Sequence, residues 1–340
     1  MLKLKVLGLI TILLLPSFFT MSAVQQSPVF FPPIHGKPQT RGEYVNPFLY
    51  YTSPPAPSGI ASFGLYNNSG KVTPYVIETS KVLGYANITS LLAYYKQARK
   101  YGVNPYSATL QMNVVLQVNT TQGTFAYWLQ DVGSFQTNTN QVTFIDNIWN
   151  LTGNPSTLSS SAVSGNGKVA SAGSGNTFYY DVGPTFTYSF PFSYVYVVNT
   201  SYTSNSVSIW FGYEILQGSQ VTSVQYYDKV TISQPGIKSA EITINGNTYT
   251  PDGLYYDAEL VWGGGGNGAP TQFTHLNSSL GLYYLSSTGV TPIPSLYTFG
   301  SNTGESAYNV HDNLVNGVPE SYVGTEELTI LTNNFSVVLV

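Results

Sequence analysis

The feature that most constrains this chain is its alternation. Over most of its length Val, Thr and aromatic residues, including 28 Tyr, recur at every second position, interrupted by short Gly, Asn and Ser clusters. β-branched and aromatic side chains suit a pleated, half-buried surface, and a period of two lines one face of a strand. The expectation is an all-β protein of antiparallel, sandwich- or barrel-like sheets. Strands are expected near 108–118, 124–132, 141–149, 177–190, 194–203, 206–217, 221–233, 239–250, 254–262, 271–285 and 322–340. One helix is expected at 89–101, with Asn87, Thr89 or Ser90 as its cap and Gly102 as its stop. Residues 52–59, TSPPAPSG, read as a rigid turn. Residues 156–176 are rich in Ser, Gly and Ala and read as a loop or linker. It lies between a β-rich half at 42–155 and a second at 177–340, which are either two units or one two-sheet body broken by a long loop.

The N-terminal stretch reads as a targeting segment. Lys3 and Lys5 precede an apolar run from Val6 to Phe19, and Ser22 and Ala23 follow. That is the pattern of a secretory signal peptide over residues 1–23. Residues 24–41, rich in Pro and Gln and containing Lys37 and Arg41, read as a pro-segment. The mature protein is therefore expected outside the cell, as a monomer without a membrane span. With no Cys in 340 residues, thiol catalysis, disulfides and Cys-based metal sites are excluded. Asn67, Asn87, Asn119, Asn150, Asn199, Asn277 and Asn334 lie in sequons that would allow glycosylation.

Charge is scarce. Lys, Arg, Asp and Glu make up 8% of the residues, against roughly 25% in ordinary globular proteins. Acid unfolds proteins by protonating paired carboxylates and by cationic self-repulsion. A chain with few ion pairs to lose and few cations to repel resists both, so the composition suits work in acid. It argues against nucleic acid as a partner.

The carboxylates can be sorted by the face they share. Asp228 lies in phase with Val224, Tyr226, Val230 and Ile232, and Asp146 with Val142, Phe144 and Ile148. An acid on an apolar strand face is either a buried group or one lining a cleft, and burial raises its pKa, as an acid catalyst needs. Asp257 and Glu259 share one strand face beside the run Gly263–Gly266, where a backbone can approach closely. Glu305 sits in a Gly-bearing loop. Glu241 and Glu214 read as solvent-facing, and Asp131 and Asp181 lie in mixed patterns that decide nothing. Neighbours two apart on a strand are about 7 Å apart, so one of Asp257 and Glu259 is expected to meet an acid from another strand, Asp228 first.

Other chemistries find less support. His275 and His311 have no metal-ligand spacing, and G-x-S-x-G, P-loop and dinucleotide patterns are missing. No cofactor or metal is expected. The pepsin-type Asp-Thr-Gly is also missing; Asn302-Thr303-Gly304 carries an amide in its place. Taken together, PAPSGIASFG (55–64), LQMNVVLQV (110–118), YWLQDV (127–132), FIDNIWN (144–150), YYDKV (226–230), DAELVWGGGGNG (257–268) and TGESA (303–307) resemble the thermopsin family of secreted archaeal acid peptidases. The resemblance implies an all-β endopeptidase that acts on polypeptides in hot acid. It assigns no catalytic residue, and Ser62 stands where it implies Asp in many relatives. The expected function is a secreted acid endopeptidase of broad specificity, with its pair drawn from Asp228, Glu259, Asp257, Asp146 and Glu305. A glycosidase with paired carboxylates and a non-catalytic extracellular β protein are the alternatives.

Overall fold

The structure is a computed structural model that describes residues 57–62, 64–68, 71–153, 155–217, 221–245, 249–250, 253–254, 258–294, 296–299, 305–325 and 330–331. Among them nearly all regular structure is strand, arranged as two large antiparallel sheets. The larger sheet runs in the order Lys168–Gly173, Asn176–Thr187, Gln141–Asn150, Thr124–Gln136, Ser107–Thr120, Ala258–Gly264, Ser58–Ser62, Leu296–Phe299, Ile330–Leu331. Ile237–Ile244 pairs with Ser107–Thr120 and with Ile77–Thr79. The second sheet runs Val310–Val315, Val318–Val323, Thr271–Ser286, Lys81–Ala93, Phe192–Tyr202, Ser206–Ile215, Gln225–Ser233, Val163–Ser164.

Alternation decides what lies between the sheets. In Gln141–Asn150 the side chains of Val142, Phe144 and Ile148 enter the core, and in Gln225–Ser233 those of Val230 and Ile232 do so. Both strands feed one hydrophobic core, Phe144 and Val230 coming from opposite sheets. Burying each such side chain contributes about 1.5–3 kcal/mol. Aromatic packing then sets the spacing: Phe144 stacks on Tyr213 with centroids 4.3 Å apart and planes 7° apart. No helix of the described residues is long and apolar enough to cross a membrane.

Two expectations change. The helix at 89–101 is not formed over its first half. Residues up to Ala93 continue the strand Lys81–Ala93, and only Lys96–Tyr101 turns, as a 3₁₀ helix. That strand is central, flanked by Thr271–Ser286 and Phe192–Tyr202, so cross-strand pairing overrides local helix propensity. The stretch 156–176, read as a loop or linker, carries strand. It contains Val163–Ser164 and the first strand, Lys168–Gly173, of the hairpin with Asn176–Thr187, and each large sheet draws strands from both sides of it.

Candidate active site

The larger sheet presents two adjacent rows that point in opposite directions. One row joins Leu260, Met112, Asp131, Asp146 and Asp181 in register across five neighbouring strands. Leu260 and Met112 lie in the core, so this row faces the second sheet. Three aspartates thus stand side by side on the inner face. The second sheet brings Asp228 to meet them. Asp146, Asp181 and Asp228 each place a carboxylate oxygen within 4.8 Å of the other two.

A bulge aims the fourth acid. Phe211 pairs with Asp228 but Gly212 pairs with Tyr226, which leaves Tyr227 as the extra residue. A bulge re-aims the side chains around it. Here both Tyr227 and Asp228 reach the inner face, Tyr227 donating to Asp131 at 2.9 Å, while Tyr226 stays 42% exposed. The expected phase of Tyr226 with Asp228 is therefore broken.

Room for the tyrosines comes from a short repeat that the sequence reading passed over. Asp131-Val132-Gly133 and Asp181-Val182-Gly183 each set a glycine two residues beyond an aspartate, on the same face. A Cβ at Gly133 would lie 2.5 Å from the Tyr196 hydroxyl, and one at Gly183 would lie 2.6 Å from the Tyr227 ring. The repeated Asp-Val-Gly is the signal that could have found Asp131 and Asp181.

The acids are held differently. Asp228, 2% exposed, accepts three hydrogen bonds. The Asn166 and Lys229 backbone N–H groups donate to Oδ1 at 2.9 and 2.7 Å, and the Tyr179 hydroxyl donates to Oδ2 at 2.5 Å. Asp146 is fully buried, and no N–H or hydroxyl of the described residues donates to either of its oxygens. Burial raises its carboxyl well above the usual range, and the charges of Asp228, Asp131 and Asp181 raise it further. Both causes favour the protonated form of Asp146. An oxygen of Asp228 lies within 4.8 Å of one of its own. Burial likewise raises Asp131, against the Tyr227 hydrogen bond, and raises Asp181, which lies half-buried at the rim with the Asp228 charge adding to the effect. Three carboxylates at this spacing could bridge a divalent cation. The same spacing, with Asp146 lacking donors and Asp228 rich in them, also suits a pair that shares a proton.

The other candidates lie elsewhere. Glu259 belongs to the second row, in register with Asn113, Gln130, Asn147 and Tyr180, on the outer face of the same sheet. It is fully buried and accepts from Asn113 Nδ2 at 2.6 Å. The expected meeting of Glu259 with Asp228 fails because Ala258, Leu260 and Trp262 take the inward positions of that strand. Asp257 lies outside the described residues. Glu305 accepts from the Gly268 N–H at 3.0 Å, on the side of the glycine run. Three of its four positions are filled by the protein itself, and Gly266 is open. A Cβ at Gly263 would lie 2.8 Å from Glu305 O, one at Gly264 1.6 Å from Ala269 O, and one at Gly265 2.2 Å from Ser107 Cβ. Of the sequon residues, Asn119 and Asn277 are exposed, Asn87, Asn150 and Asn199 are partly covered, and Asn334 lies outside the described residues.

A thermopsin family model matches residues 43–310. A curated protein called thermopsin, from Sulfolobus acidocaldarius, is 65% identical over 335 residues, covering 97% of this chain and 98% of that protein.

Proposed function

The chain belongs to the thermopsin family and is an acid protease, and from that premise we propose that Asp146 and Asp228 are its catalytic pair. The observation that carries this reading is a pair of buried carboxyls with oxygens within 4.8 Å of each other, one rich in donors and one with none. Like charges this close split the two titrations, so one proton stays on the pair in acid. Asp228, charged, takes a proton from a water that attacks the peptide carbonyl carbon. Asp146 gives its proton to the carbonyl oxygen. As the tetrahedral intermediate collapses, Asp228 passes its proton to the departing amine and Asp146 recovers its own. Asp181 keeps the local potential negative and joins the pair to the half-buried rim. Because Asp146 and Asp228 are 0% and 2% exposed, a substrate reaches them only when the Asp181 edge opens.

The surroundings of the pair suit polypeptide substrates. Phe144, Tyr213, Phe186 and Tyr227 pack beside it with centroid spacings of 4.3–6.4 Å, an apolar wall for peptide side chains. Export by the N-terminal segment, broad specificity and work in hot acid belong to this proposal, supported by the charge-poor composition.

One observation favours a second reading on the other face. Glu259 accepts from Asn113, whose amide faces Gln111, and Gln111 in turn accepts from Gln130 at 3.2 Å. A carboxyl with an oriented amide could also activate water and polarise a carbonyl. Hydrolysis of acid-denatured protein by Asp146→Asn, Asp228→Asn and Glu259→Gln decides between them. The Asp pair requires the first two to lose roughly 10³-fold or more in kcat while Glu259→Gln, if folded, stays active. The reverse pattern assigns catalysis to the outer face.

A further inference from the structure

The loop 165–167, Gly-Asn-Gly, closes over the acid pair from the edge of the second sheet. Its Asn166 N–H donates to Asp228 Oδ1 at 2.9 Å, and its Gly167 N–H donates to the Tyr179 hydroxyl at 2.7 Å. The Asn166 side chain holds the loop down by donating to Tyr227 O at 2.9 Å. Both glycines are required by contact. A Cβ at Gly165 would lie 2.2 Å from the Tyr179 hydroxyl, and one at Gly167 would lie 2.0 Å from Tyr180 O.

This geometry fixes a direction. Tyr179 is 1% exposed, and its hydroxyl has one proton to give. Since Gly167 already donates to it, that proton goes to Asp228 Oδ2, 2.5 Å away. Resting on the Asp146–Asp228 reading, we propose that Tyr179, oriented by the Gly165–Gly167 loop, is a positioning residue that holds Asp228 in its charged form and so assigns the shared proton to Asp146. Hydrogen bonds from fixed donors favour the charged form of a carboxylate. The titratable groups facing Asp228 are Asp146, Asp181 and Tyr179 from the opposite sheet, with Asp131 and Tyr227 beside them. Neither Lys229 nor Lys168 substitutes for the phenol: Lys229 lies over Trp210 at 5.0 Å and Lys168 over Tyr180 at 5.7 Å.

The test compares the native chain with Tyr179→Phe and Asp228→Asn, measuring kcat and KM on a peptide substrate across the acid range. The phenylalanine keeps the ring and removes only the donor. Its kcat should fall roughly 10- to 100-fold with KM within about threefold. The acid limb of its pH–rate profile, which reports the pair, should move up by about one pH unit. A lower rate with the native acid limb would make Tyr179 merely structural and overturn the proposal. Should that variant fail to fold, difluorotyrosine at position 179, a stronger donor, decides: the acid limb should move down, and an unmoved limb overturns the proposal. Asp228→Asn separates the two levels. Full activity there removes the pair itself, whereas an inactive Asp228→Asn beside an unmoved Tyr179→Phe limb removes only the positioning role.

Discussion

A carboxyl in an apolar interior is tolerated in two ways: it stays neutral, or donors surround its charge. Burial pushes Asp131 and Asp146 towards the first, and three hydrogen-bond donors surround Asp228. Asp131 depends on one side-chain donor, the Tyr227 hydroxyl at 2.9 Å. Tyr227→Phe should therefore destabilise the fold by about 1–3 kcal/mol, the cost of leaving a buried polar atom unmatched. Urea midpoints at fixed acidic pH read this, and an unchanged midpoint would show that the hydrogen bond contributes nothing. Asp146 and Asp228 were legible in the sequence because each is in phase with apolar neighbours. Asp131 was not, because Trp128 to Phe135 is buried on both faces of its strand and alternation vanishes there. Asp181 was not, because its strand is mostly half-covered and has no apolar phase to share.

Among elements, strand positions were mostly legible and strand partners were not. The sequence can say that Asp131, Asp146 and Asp181 lie on strands; only register reveals that they lie in one row. The bulge at Tyr227 escapes any parity count, since a single extra residue reverses the phase beyond it. The strand Ser58–Ser62 was hidden inside a Pro-rich stretch, yet it sits centrally, between Ala258–Gly264 and Leu296–Phe299. The glycine run Gly263–Gly266 was visible, but what it approaches was not. At Gly264 the neighbour is the chain's own Ala269 carbonyl, 1.6 Å from where a Cβ would stand. Gly264→Ala should thus destabilise by about 3 kcal/mol or more, seen as a lowered melting temperature. A native melting temperature would return the run to the role of an open surface.

At the scale of the whole molecule, the buried acids make stability depend on pH. Asp312, 2% exposed, accepts from Ser58 and Ser321, and burial lifts its carboxyl from 3.8 to about 7 despite those hydrogen bonds. A carboxyl whose folded pKa is raised binds more protons folded than unfolded. Its contribution is therefore fully present below pH ~3.8 and is lost as pH rises towards about 7. Asp131 and Asp146 act in the same direction. Melting temperature should fall between pH 4 and pH 7, with on the order of 4 kcal/mol from Asp312 alone. Asp312→Asn, neutral at every pH, should flatten that fall. A native protein more stable at pH 7 than at pH 4 would contradict this. Low charge content, legible from composition, supplies the other half of the tolerance: few pairs to break and few cations to repel.

The most direct test of the whole account is the rate of peptide hydrolysis in acid by Asp228→Asn, with its melting temperature matched to that of the native chain. The asparagine fills the same volume but cannot take a proton from water. A proton-sharing pair at Asp146 and Asp228 predicts a kcat lower by roughly 10³-fold or more. A folded Asp228→Asn protein that cleaves at the native rate would contradict it.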